Sequence, residues 1–335
     1  MQMPGRITAV ALVIALVAFG VAGGAKKKTK KLPRGPYPAL GKCTVFPKPS
    51  VAADAPSLGD QSAWNQDISG APLDPNSGDY IAYINSNGGD MLHPDFGSPR
   101  EYGFPYAVVA KKQKKTKVRF TAYGDESDRG AYRVPPKSLV EGGQGSDGDR
   151  HVLTIDRKRC KLYELYRAFF RKGPRPHWEA DSGVIWNLGS TALRTEGYTS
   201  ADAAGLPIFP GLVRFDEAQA GAINHAIRVT VDSTRNAWVH PASHCAGDSA
   251  SADAPPMGLR LRLGSGYDIS GFTGHARVIA TALKRYGFIV ADNGSNWFFS
   301  GTSDRRWNDE NLNQLKEIPG GAFEVVRSAA SIHAC

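Results

Sequence analysis

Two ionisable residues lie in otherwise apolar stretches of the sequence, and they are the strongest candidates for chemistry. Glu164 lies within Leu162–Tyr166, and His225 lies within Ile223–Val231. A carboxyl group in apolar surroundings has a raised pKa, so it can stay protonated near neutral pH, as a general acid must. The common alternative for such a Glu is to face solvent or pair with an arginine, and for such a His it is a hydrogen-bonded position in the core.

A glycine-rich loop at residues 141–149 brings further polar groups towards Glu164. The loop delivers Asp147, Asp149 and His151 to the start of a predicted hairpin whose second strand contains Glu164. An acidic turn is the alternative, and Asp147 to Asp149 is too short a segment for an EF-hand-like calcium loop. The predicted catalytic roles are Glu164 as the acid, Asp149 or Asp147 as the second carboxylate, and His225 or His151 as the residue that orients groups or relays protons.

Aromatic residues near these acids favour a sugar substrate. Sugar rings present C–H faces to aromatic rings and hydroxyl groups to carboxylates, although tryptophans buried in a β-core are commoner. We predict that Tyr163 and Trp186 stack on sugar and that Arg214 contacts the substrate. The function that follows is action on an extracellular or cell-wall polysaccharide, most simply glycoside hydrolysis.

Two other functions fit the same residues. A non-catalytic glycan-binding or cell-surface module needs the aromatic residues but no carboxylate with a shifted pKa. A polysaccharide lyase would instead use His and Tyr as base and acid, with an Arg to neutralise a uronate.

Metal and cofactor chemistry is not predicted. His240 and His244 have metal-ligand spacing for a helix, but Pro241 disrupts helix formation there. GxSxG, HExxH and P-loop motifs do not occur in the sequence. We therefore expect no metal and no cofactor.

The elements that must position these residues are mostly strands. Alternation with a period of two predicts a hairpin formed by His151–Asp156 and Cys160–Tyr166. Helical periodicity appears in Thr273–Tyr286, and Gly287 is the expected C-terminal stop. Further predicted strands are Tyr80–Ile84, Val118–Tyr123, His177–Glu179 paired with Val184–Leu188, Ile223–Val231, Gly258–Leu263, a hairpin of Phe288–Ala291 with Trp297–Phe299, and Phe323–Val326, with a short helix over Asp309–Lys316.

These elements predict a mainly β, β-rich α+β fold. The expected architecture is an antiparallel, jelly-roll-like β-sandwich with one packed C-terminal helix. Residues 43–335 are expected to form one domain, and the alternative is a division into two parts near residue 264.

The start of the chain has the layout of an exported protein. Arg6, the apolar run of residues 10–19 and the small residues 20–25 predict a signal peptide over residues 1–25, so that no transmembrane segment remains after cleavage. Residues 26–42 form a basic spacer, in which Lys26 to Arg34 could make weak contact with anionic surfaces. We expect a secreted or cell-wall-associated protein.

The net charge of +9 does not indicate nucleic-acid binding. Residues 1–34 carry seven basic residues and no acid, and residues 111–117 carry five more. The high pI thus comes from two short tracts, and the sequence lacks the basic stripe interleaved with aromatic residues that nucleic-acid binding requires.

Four cysteines, at positions 43, 160, 245 and 335, are an even number suited to disulfides in an oxidising compartment. All three pairings are open. Joining Cys43 to Cys335 and Cys160 to Cys245 is favoured because it would tie the two ends of the domain.

Three stretches carry a resemblance to other proteins. They are TSADAAGLPIFPGLVRFDE (199–217), PPMGLRLRL (255–263) and RYGFIVADNGSNWF (285–298). They resemble a group of exported bacterial proteins of uncharacterised function, over most of residues 43–326. The resemblance implies no activity.

Overall fold

The strands of the described residues form four small sheets rather than one large one. The computed structural model describes residues 40, 43, 45, 62–97, 102–110 and 112–335. The predicted signal peptide, and all of the predicted spacer except residue 40, lie outside the described residues.

The first two sheets are built from the N-terminal half of the described chain. The first has the order β1-β4-β5-β8 and consists of β1 (Tyr106–Val109), β4 (Val152–Asp156), β5 (Lys161–Tyr166) and β8 (Ser182–Asn187). The second has the order β3-β2-β7-β6 and consists of β2 (Thr116–Phe120), β3 (Ala131–Tyr132), β6 (Phe169–Arg171) and β7 (His177–Ala180). The predicted β4–β5 hairpin is confirmed, with Leu153 opposite Glu164.

The other two sheets use later strands. The third has the order β13-β11-β12-β9 and consists of β9 (Ile227–Val231), β11 (Arg260–Leu263), β12 (Phe288–Asn293) and β13 (Phe323–Val325). A two-stranded sheet pairs β10 (Ala237–Val239) with β14 (Ile332–Ala334). The third sheet therefore combines strands from both sides of residue 264.

The described residues contain four short α-helices, which are α1 (Ser77–Ser86), α2 (Phe215–Gln219), α3 (Gly274–Arg285) and α4 (Asp309–Asn313). Of these, α1 and α3 pack on the third sheet, and α2 and α4 pack on α3. The predicted C-terminal helix is α3, which buries Ala276, Ile279 and Leu283. Its stop at Gly287 has φ +66°, and a Cβ there would lie 1.9 Å from the Leu261 carbonyl oxygen, so glycine is required by both backbone and space.

The fold is mainly β, as predicted, but three of the four sheets in the described residues are mixed, and only the β10–β14 sheet is purely antiparallel. Among the described strands, three pairs are parallel: β1 with β4, β2 with β7, and β9 with β12. Each of these pairs joins strands that are far apart in the chain, which a hairpin connection cannot do.

Three local predictions are corrected. Tyr80–Ile84 is not a strand but part of α1, which buries Tyr80, Ile81 and Ile84 on one helical face. The strands β7 and β8 do not pair with each other, because β7 adds to β2 and β8 adds to β5. Phe288–Phe299 is not a hairpin: β12 pairs with β9 and β11, while Phe298 and Phe299 form single bridges to His93 and Val229.

The disulfides join Cys43 to Cys160 and Cys245 to Cys335, so the favoured pairing was wrong. Cys43 packs in the apolar cluster of the first sheet beside Leu153 and Leu162, whereas Cys335 follows β14, next to β10. Within the described residues, no helix has the length and apolar character needed to cross a membrane.

Candidate functional site

An acidic cleft of about 320 Å³ lies where the first sheet meets the third. Its walls come from the end of the glycine-rich loop, the ends of β5 and β12, and the segment 199–203. Its polar lining residues are Tyr123, Asp149, His151, Tyr166, Ser182, Thr199, Ser200, Asp202, His244, Asp292 and Asn293.

A buried ion pair forms the floor of this cleft. Arg228 of β9 donates from Nε (2.9 Å) and Nη2 (2.6 Å) to Oδ2 of Asp202, and both side chains are almost fully buried. The third donor of Arg228, Nη1, bonds the Ser300 hydroxyl at 2.8 Å. Asp202 also accepts from the Ala204 amide at 3.0 Å. A charged group in the middle of an apolar strand is stable only with such partners.

Asp292, at the end of β12, is the second carboxylate on the same arginine. Its Oδ2 lies 3.5 Å from Arg228 Nη2, and its side chain is 29 % exposed. Burial raises the pKa of Asp292 to about 7, and the charges of Asp202 and Asp149 act in the same direction, against the pull of Arg228. Burial raises the pKa of Asp202 as well. We assign the proton of this pair to Asp292, because Asp202 accepts three hydrogen bonds that require its lone pairs.

His151 supplies a positive charge to the cleft. Its Nδ1 lies 2.5 Å from Oε2 of Glu141, and its Nε2 lies 2.9 Å from the Ala201 carbonyl oxygen. Burial opposes the charge, but Glu141 outweighs it and raises the pKa of His151 to about 9. His151 is therefore protonated at neutral pH and donates both of its ring hydrogens.

Glu164 is buried away from the acidic cleft. It is fully inaccessible and accepts from Trp186 Nε1 at 2.9 Å, from the Phe209 amide at 2.9 Å and from the Ile208 amide at 3.1 Å. Burial raises its pKa to about 7, and these hydrogen bonds oppose the rise. Its apolar surroundings are as predicted, but the carboxylate holds residues 208 and 209 against β5 and does not line the cleft.

His225 and Arg214 form a separate buried group with Glu217. His225 precedes β9 rather than lying within it, because the strand begins at Ile227. Its Nε2 lies 3.2 Å from Glu217, to which Arg214 also donates at 2.6 Å. Burial alone would raise the pKa of Glu217, but the charges of Arg214 and His225 hold it at about 2. Arg214 also donates to three backbone carbonyls in residues 209–212, which makes it a cap for that turn.

The remaining predicted site residues lie in different places: in the acidic cleft, on the loop surface, in the core and in a second cleft. Asp149 and His151 do line the acidic cleft, whereas Asp147 is an exposed loop residue. Tyr163 is buried against Tyr132. Trp186 lines a second, mainly apolar cleft of about 290 Å³ together with Trp64, Leu193 and Leu206.

Residues 112–117 of the second basic tract lie on the folded surface. Part of it forms β2, and a broad groove of about 990 Å³ runs beside it. The groove is lined by Lys112, Lys114, Lys115, Lys117, Arg119, Arg175 and His177.

Asp202, Arg228 and Asp292 did not emerge as site residues from the sequence. Arg228 lies within the predicted strand Ile223–Val231 and Asp292 directly follows the predicted strand Phe288–Ala291, but no periodic pattern relates them to each other or to Asp202. A usable signal was present: an arginine inside the apolar run Ile227–Val231 requires a carboxylate, and Asp292 directly follows another apolar run.

Comparison of the chain with protein-family models, with curated proteins and with solved structures finds no match. The function must therefore be argued from the geometry of the site.

Proposed function

We propose that the acidic cleft hydrolyses a glycosidic bond in an extracellular or cell-wall polysaccharide. The observation that carries the proposal is the partly exposed carboxyl group of Asp292, which lines the cleft. Burial raises the pKa of this group to about 7. Such a group is protonated often enough at neutral pH to donate a proton to a leaving-group oxygen.

The second carboxylate in this proposal is Asp149. It is exposed on the loop that lines the cleft, and it lies close enough for its charge to raise the pKa of both Asp292 and His151. Glycoside hydrolysis requires one acid and one ionised carboxylate on either side of the scissile bond. Tyr123 and Tyr166 at the walls offer aromatic faces for a sugar ring.

The charges in the cleft favour hydrolysis over the lyase reaction. A lyase needs a neutral base, but His151 is protonated through its contact with Glu141. A lyase also needs a cation that is free to neutralise the uronate carboxylate. Arg228 is not free for this role, because it already contacts the carboxylates of Asp202 and Asp292.

The test is a reducing-end assay of the purified protein on a panel of plant, fungal and bacterial wall polysaccharides. Asp292→Asn should lower turnover by about a hundredfold to ten-thousandfold, the usual contribution of general acid catalysis. Asp149→Asn should also lower it strongly. Asp147→Asn is the matched control, since this residue lies exposed on the same loop and does not line the cleft. A wild type inactive on every polymer, or unsaturated products, would contradict the proposal.

The second candidate is a non-catalytic glycan-binding module, favoured by the basic groove beside β2. A groove with this many cationic side chains would attract an acidic polysaccharide. Binding of an acidic glycan that is lost on Lys115→Glu with Lys117→Glu, in a wild type without turnover, would support this reading.

Export and the finer architecture belong to the same proposal. Two disulfides fit an oxidising compartment, and the layout of residues 1–25 fits a signal peptide. The β-rich content fits a sandwich formed by residues 43–335 as one domain, whereas the three parallel strand pairs do not fit an antiparallel jelly roll.

A further inference from the structure

Three potential metal ligands meet outside the acidic cleft. Glu196, His240 and His333 each offer one ligand atom, and these atoms lie within 4.8 Å of one another. His240 Nε2 and Glu196 Oε1 are 3.3 Å apart. His244, the spacing partner of His240 in the sequence, points elsewhere and bonds the Ala203 carbonyl at 2.8 Å.

The two histidines are brought together by the β10–β14 pair. His333 lies directly opposite Trp238, and the two rings stack with centroids 5.1 Å apart. His240 follows β10 two residues after Trp238, and its ring lies 5.4 Å from that of His333. The disulfide from Cys335 to Cys245 ties β14 to the rest of the chain.

Glu196 is held beside the histidines by a separate set of bonds. The Gly197 amide donates to the Ser243 carbonyl at 2.7 Å, and the Ser243 hydroxyl donates to the Tyr198 carbonyl at 3.0 Å. These bonds fix the segment that carries Glu196 against the segment that follows His240. The three ligands therefore come from three chain segments that are bonded to one another.

The donor set and the spacing fit zinc. Two imidazoles and one carboxylate are a recurrent zinc ligand set, with bond lengths of about 2.0–2.2 Å in a tetrahedral arrangement. Neighbouring ligand atoms in such a site are about 3.4 Å apart by that geometry, close to the 3.3 Å between His240 and Glu196. Imidazole nitrogen also disfavours magnesium and calcium, which prefer oxygen ligands.

We propose that Glu196, His240 and His333 bind a zinc-class divalent cation. Three protein ligands leave a fourth tetrahedral position for water or an exogenous donor. His240 also lines the apolar cleft that contains Trp64 and Trp186, so the proposed site borders that cleft. The site is independent of the acidic cleft, and so is its test.

The experiment is calorimetric titration of the chelator-treated, disulfide-intact protein with zinc chloride, without reductant so that no cysteine thiol is free. The wild type should bind one zinc ion per chain. Loss of a direct zinc ligand should exceed the tenfold to hundredfold effect typical of residues that only hydrogen-bond to a ligand, so His240→Ala and His333→Ala should each weaken binding by about a hundredfold or more.

His177→Ala is the matched control. Its side chain is 31 % exposed, as is that of His240, and it also lies beside a glutamate, Glu179 at 3.6 Å. It has no second histidine in its group among the described residues, so its loss should leave zinc affinity unchanged.

Cobalt substitution gives a second readout of the same site. Bound Co²⁺ should show the intense visible absorption of a four-coordinate site, and Glu196→Gln should change or abolish it. Glu196 is exposed, so this variant should fold even if His333→Ala does not. The proposal is overturned if the wild type binds no zinc, or if zinc binds equally well to His177→Ala and to folded Glu196→Gln and His240→Ala variants.

Discussion

The Asp292 carboxylate lies 3.5 Å from the Arg228 guanidinium because β12 contains an irregularity just before Asp292. Ile289 pairs with Arg228 and Val290 with Val229, but the next paired residue is Asp292, opposite Thr230. Strict alternation would turn Asp292 to the opposite face from Arg228. The extra residue re-aims the side chain, as bulges beside active sites commonly do.

The raised pKa of Asp292 should make stability depend on pH. A carboxyl group whose pKa is higher in the folded state stabilises the fold when protonated, and this contribution is lost as pH rises towards about 7. The shift from 3.8 to about 7 corresponds to at most about 4 kcal/mol, and we expect about 1–2 kcal/mol because solvent reaches the side chain. Asp292→Asn should therefore unfold nearly like the wild type at about pH 4, near the unfolded pKa of 3.8, and should become progressively more stable than the wild type up to pH 8, as measured by urea unfolding. Parallel stability curves for the two proteins would contradict this assignment.

Glu164→Gln should lower stability rather than activity. The three N–H groups of Trp186, Ile208 and Phe209 need an acceptor, and the glutamine amide presents a donor to one of them. We expect a loss of about 1–3 kcal/mol in unfolding free energy at pH 8, and an unchanged turnover number for the folded protein. Loss of turnover at unchanged stability would instead return Glu164 to the catalytic role that the sequence suggested.

Breaking the buried ion pair should cost far more than breaking an exposed one of equal length. Arg228→Met leaves Asp202 buried without its counter-ion, and we expect a loss of about 3–5 kcal/mol. Arg285→Met is the control, because the contact of Arg285 with Asp67 is also 2.6 Å but exposed, and about 0–1 kcal/mol is expected. Denaturant unfolding gives the unfolding free energies of the two arginine variants. The double variant Arg228→Met with Asp202→Asn should be more stable than Arg228→Met alone, because the unpaired buried charge is removed. Equal losses of unfolding free energy in the two arginine variants would show that the buried pair contributes no more to stability than the exposed one.

Removing the first disulfide should destabilise the whole fold. Cys43 and Cys160 are 117 residues apart, so their bond restricts the unfolded chain strongly. Replacing both by Ser should lower the unfolding free energy by about 2–5 kcal/mol. Replacing both Cys245 and Cys335 by Ser should also have a local effect, because this disulfide holds the end of β14. Amide hydrogen exchange in Ile332–Ala334 should become faster. Unchanged unfolding of the Cys43 and Cys160 double variant would contradict the first expectation.

The parts of the fold that were predictable are those with local signals. The β4–β5 hairpin joins neighbouring strands, and α3 has a helical apolar face with a glycine stop. Glu164 was correctly placed in apolar surroundings, because alternation along one strand is enough to show that.

The cleft was less predictable because it depends on pairing between distant segments. Arg228 meets Asp292 through a parallel strand pair and meets Asp202 through a loop, and neither contact has a periodic signal. The prediction for His225 was wrong for a simpler reason. The apolar alternation already starts at Ile223, whereas β9 begins only at Ile227, so His225 precedes the strand.

The three parallel strand pairs also bear on how quickly the protein can fold. To form each pair, two distant segments of the chain must first come together, which closes a long loop and lowers the chain entropy. The hydrogen bonds that offset this loss form only after the loop has closed. Only segments such as the β4–β5 hairpin and α3 can form early from local contacts. The Arg228 to Asp292 contact should therefore be among the last to appear, so refolding intermediates would bury the hairpin while the acidic cleft is still unformed.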